Sequence, residues 1–179
     1  MVSRIALTCA GAFLALAPTL SATSVSAQET STNQVAAKTD WSVFEDKNPR
    51  ECWAVSSPKE TVNTKEGRVV AVRRSDILLM AFFRPGAGVS GQITFTGGYP
   101  FASGSTVNLS VDGNSYELYA EGEWAWPASP ADDAKILTAM KRGSKAILTA
   151  RSSRGTKTKD TFSLSGFTAA VEDAEKRCK

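Results

Sequence analysis

Residues 106–121 read TVNLSVDGNSYELYAE, and this stretch decides the fold class. Apolar residues alternate with polar ones on both sides of its centre, at Val107, Leu109 and Val111 and again at Tyr116, Leu118 and Ala120. Such alternation is typical of a β-strand with one buried face. The pair Asp112-Gly113 between the two halves strongly favours a two-residue turn. The stretch therefore predicts an antiparallel hairpin.

Shorter patterns extend this β character along the chain. Alternating pairs occur at Trp41/Val43, Val70/Val72 and Ile93/Phe95, and the continuous apolar run 77–83 predicts a central strand covered on both faces. Residues 145–151 and 159–165 predict a second hairpin around the polar loop 152–156. We expect a mostly β domain in which two packed antiparallel sheets form a β-sandwich-like arrangement with one or two short covering helices.

Two segments carry helix signals. The first has Ser129 as a capping residue, Pro130 at the first helical position and Gly143 at its end. The second begins with Thr168 as its cap and places Cys178 on its apolar stripe. Cys178 should therefore face the body of the domain.

The N-terminal 27 residues have the features of a signal peptide. Arg4 precedes an apolar stretch, and small residues end at Ala27, the expected cleavage point, with Ala22 as the alternative. An uncleaved membrane anchor is disfavoured because Pro18 interrupts the stretch and no charged flank follows it. Residues 28–39 are polar and predict a flexible spacer, so the domain should span residues 40–179 with no transmembrane helix after cleavage.

Export would also set the chemistry of the cysteines. Loss of Cys9 with the signal peptide leaves one pair, Cys52 and Cys178, in an oxidising compartment. We expect these two residues to form a disulfide, and two separate buried thiols are the alternative. The chain contains no histidine, which excludes Ser-His-Asp and Cys-His catalysis and His-ligated zinc. We predict no catalytic, cofactor or metal site.

Three short motifs favour structural interpretations. Residues 86–91 match the dinucleotide-binding glycine pattern, but a strand pattern follows where a helix is required. Ser56 and Lys59 have the spacing of a serine–lysine dyad, but Pro58 lies between them and no partner motif occurs. Glu121 and Glu123 stand beside Trp124 and Trp126, and on one strand the carboxylates would face solvent while the indoles faced the core.

Residues 141–159 contain seven basic and no acidic side chains, in a chain of net charge +3. The basic members are Lys141, Arg142, Lys145, Arg151, Arg154, Lys157 and Lys159. Arg151, Arg154, Lys157 and Lys159 fall on the predicted second hairpin and could hold phosphate, sulfated glycan or anionic lipid headgroups. A nucleic acid is not expected, since the segment has no aromatic side chain for stacking. The alternative is a solvated hairpin neutralised by carboxylates elsewhere in the fold.

Several segments resemble the invasion-associated locus B family. They are Cys52-Trp53-Ala54, Arg84-Pro85-Gly86, Gly98-Tyr99-Pro100-Phe101, Ala125-Trp126, residues 139–143, residues 152–160, residues 162–167 and the terminal Cys178. Phe162 stands where the family pattern would have tyrosine. The resemblance implies an exported protein of a Gram-negative cell, periplasmic, envelope-associated or secreted, with a compact mostly β domain and a cysteine pair. It implies no catalytic residues.

These observations predict a non-enzymatic binding module that contacts an anionic envelope component or host-surface molecule through its basic loop. One alternative is a small envelope hydrolase acting on glycan through carboxylates such as Glu121 and Glu123. Another is a purely structural envelope-stress protein. Partner identity and oligomeric state stay open.

Overall fold

The computed structural model describes residues 33–179, which form twelve strands, two α-helices and a short 3-10 helix at Pro85–Ala87. The strands are Gln34–Lys38 (β1), Trp41–Lys47 (β2), Arg50–Ser56 (β3), Glu60–Lys65 (β4), Arg68–Val69 (β5), Leu78–Arg84 (β6), Val89–Thr96 (β7), Thr106–Val111 (β8), Asn114–Glu121 (β9), Trp124–Trp126 (β10), Lys145–Arg151 (β11) and Lys157–Ser163 (β12). The helices are Pro130–Arg142 (α1) and Phe167–Arg177 (α2). The prediction of a mostly β domain with two helices is confirmed. The predicted signal peptide lies outside the described residues.

All twelve strands join one antiparallel sheet in the order β1-β2-β3-β6-β7-β10-β9-β8-β11-β12-β4-β5. Phe95 on β7 and Phe162 on β12 are five strands apart in that order, which is about 24 Å in a flat sheet. Their ring centroids are only 6.2 Å apart. The sheet therefore curls until its two halves face each other. The sequence predicts two packed antiparallel sheets, and in the structure two facing halves belong to one continuous antiparallel sheet.

The antiparallel hairpin predicted for residues 106–121 is confirmed. Val107, Leu109 and Leu118 are fully buried, and strands β8 and β9 meet at Val111 opposite Asn114. Asp112 has φ 46° and Gly113 has φ 95°, the pair of positive values that a tight hairpin turn requires. Run 77–83 is also found as a strand, β6, which lies between β3 and β7 in the sheet.

The first helix follows its signals closely. Ser129 Oγ accepts a hydrogen bond from the Asp132 N–H, and Pro130 opens the helix. In the same first turn, Asp133 accepts the Ile93 N–H of β7 at 2.8 Å. Strand β10 pairs with β7 only at positions 95 and 96, so Asp133 takes the place of a missing neighbouring strand. Helix α1 is thus held, through a buried hydrogen bond, to the part of β7 that does not pair with β10.

The second helix differs at its start. It begins at Phe167 with Gly166 as cap, and the predicted capping role of Thr168 is wrong because its hydroxyl donates to the Lys141 carbonyl of α1. Its end agrees with the prediction, since Cys178 forms a disulfide with Cys52 of β3. Both sulfurs lie in the buried core, and the bond joins the C-terminal end of the domain to the sheet.

Two predictions about irregular segments are wrong. Residues 34–38 of the predicted flexible spacer 28–39 form β1, which pairs with the adjacent strand β2. Lys38 of β1 also forms a 3.2 Å ion pair with Asp173 of α2, more than a hundred residues away. Residues 28–32 of the predicted spacer lie outside the described residues. The predicted strand at Val70/Val72 is not formed, because β5 ends at Val69 and residues 70–77 run outside the sheet.

Candidate functional site

The second hairpin presents three of the four predicted binding residues together. Along β12, Lys157 and Lys159 are exposed while Thr158 and Asp160 are buried, as strand alternation requires. Arg151 of β11 stands directly opposite Lys157, so the three cations share the outward face. We call Arg151, Lys157 and Lys159 the basic face.

Polar groups without negative charge surround the basic face. Thr64, Thr106, Asn108 and Thr149 line a shallow groove of about 440 Å³ with the three cations, and no carboxylate of the described residues lines it. Among residues 33–179, no carboxylate oxygen lies within 4.0 Å of the charged nitrogens of these three side chains. The charges are therefore available to an external anion.

Arg154 lies apart from this face. It occupies the loop 152–156, which is closed by hydrogen bonds from the Ser152 N–H to the Thr156 carbonyl and from the Thr156 N–H to Ser152 Oγ. The loop directs Arg154 to a second cavity of about 500 Å³, also lined by Arg73, Tyr99, Glu123, Ser153 and Thr158. We call this space the loop cavity. The predicted set of four basic residues is therefore divided between two sites.

A buried ion pair forms the base of the loop cavity. Arg74 donates two hydrogen bonds to the Asp160 carboxylate, at 2.7 and 2.6 Å, and others to the Gly97 carbonyl and Asn63 Oδ1. The Asp160 side chain has no exposed surface. Burial raises the pKa of Asp160, and the Arg74 guanidinium opposes that shift. Because Arg74 and Asp160 neutralise each other, neither supplies net charge to the cavity.

Close backbone packing fixes the cavity wall. The Ser75 N–H donates to the Gly98 carbonyl at 3.0 Å, and a β-carbon at position 98 would lie 2.5 Å from the Ser75 oxygen. With φ at +71°, position 98 therefore requires glycine on two counts. The Ser153 N–H donates to the Pro100 carbonyl, which ties the 97–101 loop to the loop that carries Arg154. Three separate chain segments are held around one space.

Tyr99 supplies the aromatic part of the wall. The Arg74 guanidinium lies 5.0 Å from the centroid of the Tyr99 ring, and the Tyr99 hydroxyl is 2.5 Å from Thr158 Oγ1. Burial raises the pKa of the Tyr99 phenol, so the hydroxyl stays protonated at neutral pH. Sequence analysis missed Arg73, Arg74 and Tyr99 as site residues, because they lie more than fifty residues from loop 152–156. Tyr99 belongs to a family-like segment, but that resemblance assigns it no role.

Glu121 and Glu123, the two carboxylates of the hydrolase alternative, do not lie on the same strand. Glu121 ends β9, and Glu123 lies beyond Gly122 in the turn to β10, so only Glu123 lines the loop cavity. The prediction that both indoles enter the core is wrong. Trp124 is 45% exposed, and Ala125 between the two tryptophans is the fully buried residue.

The other two motifs have structural roles. Strand β7 begins at Val89 within the glycine-rich segment, as the strand pattern predicts. Ser56 Oγ donates to the Asp40 carbonyl, and Lys59 forms a 2.6 Å ion pair with the Asp40 carboxylate. Ser56 and Lys59, the two residues of the possible serine–lysine dyad, therefore both bind Asp40. Within residues 33–179, no cluster of three or more Cys, Asp or Glu side chains has the arrangement of a metal site.

Comparison with known proteins places both sites within one family domain. Residues 41–175 match the family described as invasion associated locus B (IalB) protein. The chain belongs to the invasion-associated locus B family. The IalB match includes the basic face and every residue named in the loop cavity, and the resemblance seen in the sequence is confirmed.

A solved structure supports the IalB fold. The crystal structure of invasion associated protein B from Bartonella henselae is similar over 78% of this chain and 94% of that chain, with a TM-score of 0.51 and 14% identity. At this identity the likeness concerns the fold alone. No curated protein matches the sequence. In residues 33–179, neither helix has the length and apolar character needed to span a membrane.

Proposed function

We propose that this IalB protein is an exported, non-enzymatic binding module whose basic face holds an anionic component of the cell envelope or of a host surface. The observation that carries the proposal is the basic face itself. Its three cations share one outward surface, and none has a carboxylate partner among the described residues. An outward cluster of unpaired cations attracts anions more strongly than a neutralised one.

The expected strength follows from the number of charges. Each Lys or Arg near an anionic membrane surface contributes about 1 kcal/mol. Removal of Lys157 and Lys159 should therefore weaken binding by about 2 kcal/mol, or roughly 30-fold. Since the Debye length is about 8 Å at physiological ionic strength, added salt should weaken binding further.

Binding to vesicles containing anionic lipid and to immobilised heparin tests the proposal. The variant Lys157→Ala/Lys159→Ala is compared with Lys47→Ala/Lys176→Ala, which removes the same charge from exposed positions on β2 and α2. We expect the first variant alone to lose affinity, and the preferred probe distinguishes a lipid from a sulfated glycan. Equal loss in both variants would contradict a local site. Absence of binding to either probe would favour the structural envelope-stress alternative.

Export is the second part of the proposal. The disulfide between Cys52 and Cys178 supports it, because such bonds persist in oxidising compartments. Cell fractionation followed by N-terminal sequencing should find the protein in the periplasm or the medium, beginning at Gln28. A cytosolic protein that retains residues 1–27 would contradict export.

A further inference from the structure

We propose that the loop cavity binds one anionic sugar unit, a hydroxylated ring that carries a single carboxylate or phosphate. Its volume of about 500 Å³ lies within the roughly 300–1,000 Å³ range of small-molecule sites. The site uses different side chains from the basic face, so either proposal can fail alone.

The charge of the lining selects the anion. Arg73 and Arg154 are exposed, and among residues 33–179 neither has a carboxylate oxygen within 4.0 Å. Of the carboxylates in the part of the chain that the structure describes, Glu123 alone lines the cavity. Asp160 is buried outside the lining and is neutralised by Arg74. Two free cations and one free carboxylate leave a net charge of +1. A ligand with one negative group complements that charge.

The remaining lining groups suit a hydroxylated ring. The Glu123 carboxylate can accept hydrogen bonds from sugar hydroxyls, and the exposed Ser153 hydroxyl can donate or accept. Tyr99 adds an aromatic surface, and its ring is held between the Arg74 guanidinium and the edge contact with Phe101 at 5.2 Å. A bare inorganic anion would use only the arginines. The cavity as a whole therefore favours a sugar that carries the anion.

The site is also organised before binding. Arg74 joins residues 70–77 to β12 and to the 97–101 loop through its hydrogen bonds to Asp160 and Gly97. The Ser153 N–H bond to Pro100 fixes the remaining loop. The backbone segments held by these contacts lose little conformational entropy when a ligand enters, which favours affinity for a small molecule.

Titration calorimetry of the purified protein with glucuronate and with glucose 6-phosphate tests this proposal, with glucose and inorganic phosphate as controls. We expect at least one anionic sugar to bind more tightly than both controls. Arg154→Gln and Arg73→Gln should each weaken that binding by about 10- to 100-fold, since each removes a charge-assisted hydrogen bond. Arg142→Gln removes the same charge from an exposed position outside the cavity and should bind normally.

The outcomes separate the ligand classes. Preference for glucuronate or for glucose 6-phosphate identifies the anion, and either result supports the proposal. Inorganic phosphate binding as tightly as the sugars would overturn it, and so would the failure of both sugars to bind. Thermal unfolding of the variants should match the wild type, since Arg73 and Arg154 are exposed and have no ion-pair partner among residues 33–179. Glu123→Gln gives an independent readout, because it should reduce the preference for glucuronate over acetate.

Discussion

Replacement of Arg74 by methionine should destabilise the protein strongly at neutral pH. The change removes both hydrogen bonds to Asp160 and those to Gly97 and Asn63, and it leaves a carboxylate with no exposed surface unpaired. Loss of one partner of a buried ion pair costs about 3–5 kcal/mol. For a domain of this size, that loss corresponds to a fall in Tm of about 10 °C. Urea unfolding at pH 7 measures the free energy directly.

The single variant Asp160→Leu and the double variant Arg74→Met/Asp160→Leu complete a thermodynamic cycle with Arg74→Met. The double variant removes both charges, so the remaining cost is that of the unsatisfied Gly97 carbonyl, about 1–3 kcal/mol, together with the lost hydrogen bond to Asn63 Oδ1. The double variant should therefore be more stable than Arg74→Met alone. In Arg74→Met, the unpaired Asp160 has a raised pKa and takes up a proton in the folded state, so the deficit of this variant should shrink as the pH falls. A loss below about 1 kcal/mol for Arg74→Met, or additive costs, would refute this account.

Three further predictions concern the contacts that join the sheet to other segments. Cys52→Ala/Cys178→Ala should lower the free energy of unfolding in urea by about 5 kcal/mol, because the bond closes a separation of 126 residues. Asp133→Ala should cost about 1–3 kcal/mol and speed hydrogen exchange at the Ile93 amide, whereas Asp133→Asn keeps an acceptor and should cost less. Asp112 has a lowered pKa because it accepts hydrogen bonds from Ser144, so its stabilising effect is complete above the unfolded pKa and lost as pH falls through the folded one. The stability difference between wild type and Asp112→Asn should therefore vanish in acid denaturation series, and a constant difference would contradict the assignment.

Local chemistry accounts for the parts of the fold that can be predicted from the sequence. The Asp112-Gly113 turn, the Ser129 cap and the cysteine pair each depend on residue types whose preferences act over a few positions or through a single bond. Alternation also predicts which β12 side chains face outward. These features need no knowledge of distant partners.

Features that depend on distant partners are not visible in the pattern. Strand β1 lies in a segment whose pattern predicts no strand, and it becomes ordered through β2 and the Lys38–Asp173 ion pair. The curling of the sheet brings β7 against β12, and no residue type signals that closure. Gly122 and Glu123 form the turn between β9 and β10, so the assumption of one continuous strand assigns the wrong face to Trp124, which is exposed. The loop cavity also cannot be predicted from local sequence patterns, because its lining comes from four segments that are far apart in the chain.

The run of basic residues from 141 to 159 shows how a charge cluster in sequence can separate in space. Strand alternation sends Lys157 and Lys159 to the outward face, while the turn at 152–156 sends Arg154 to the cavity at the end of the hairpin. A variant that combined Arg154 with Lys157 would therefore alter two surfaces at once and could not assign a loss of binding to either. Substitutions grouped by surface separate long-range attraction, which salt screens, from recognition of a small ligand, which depends on hydrogen bonds within the cavity. Salt dependence should therefore be steep for the basic face and shallow for the loop cavity.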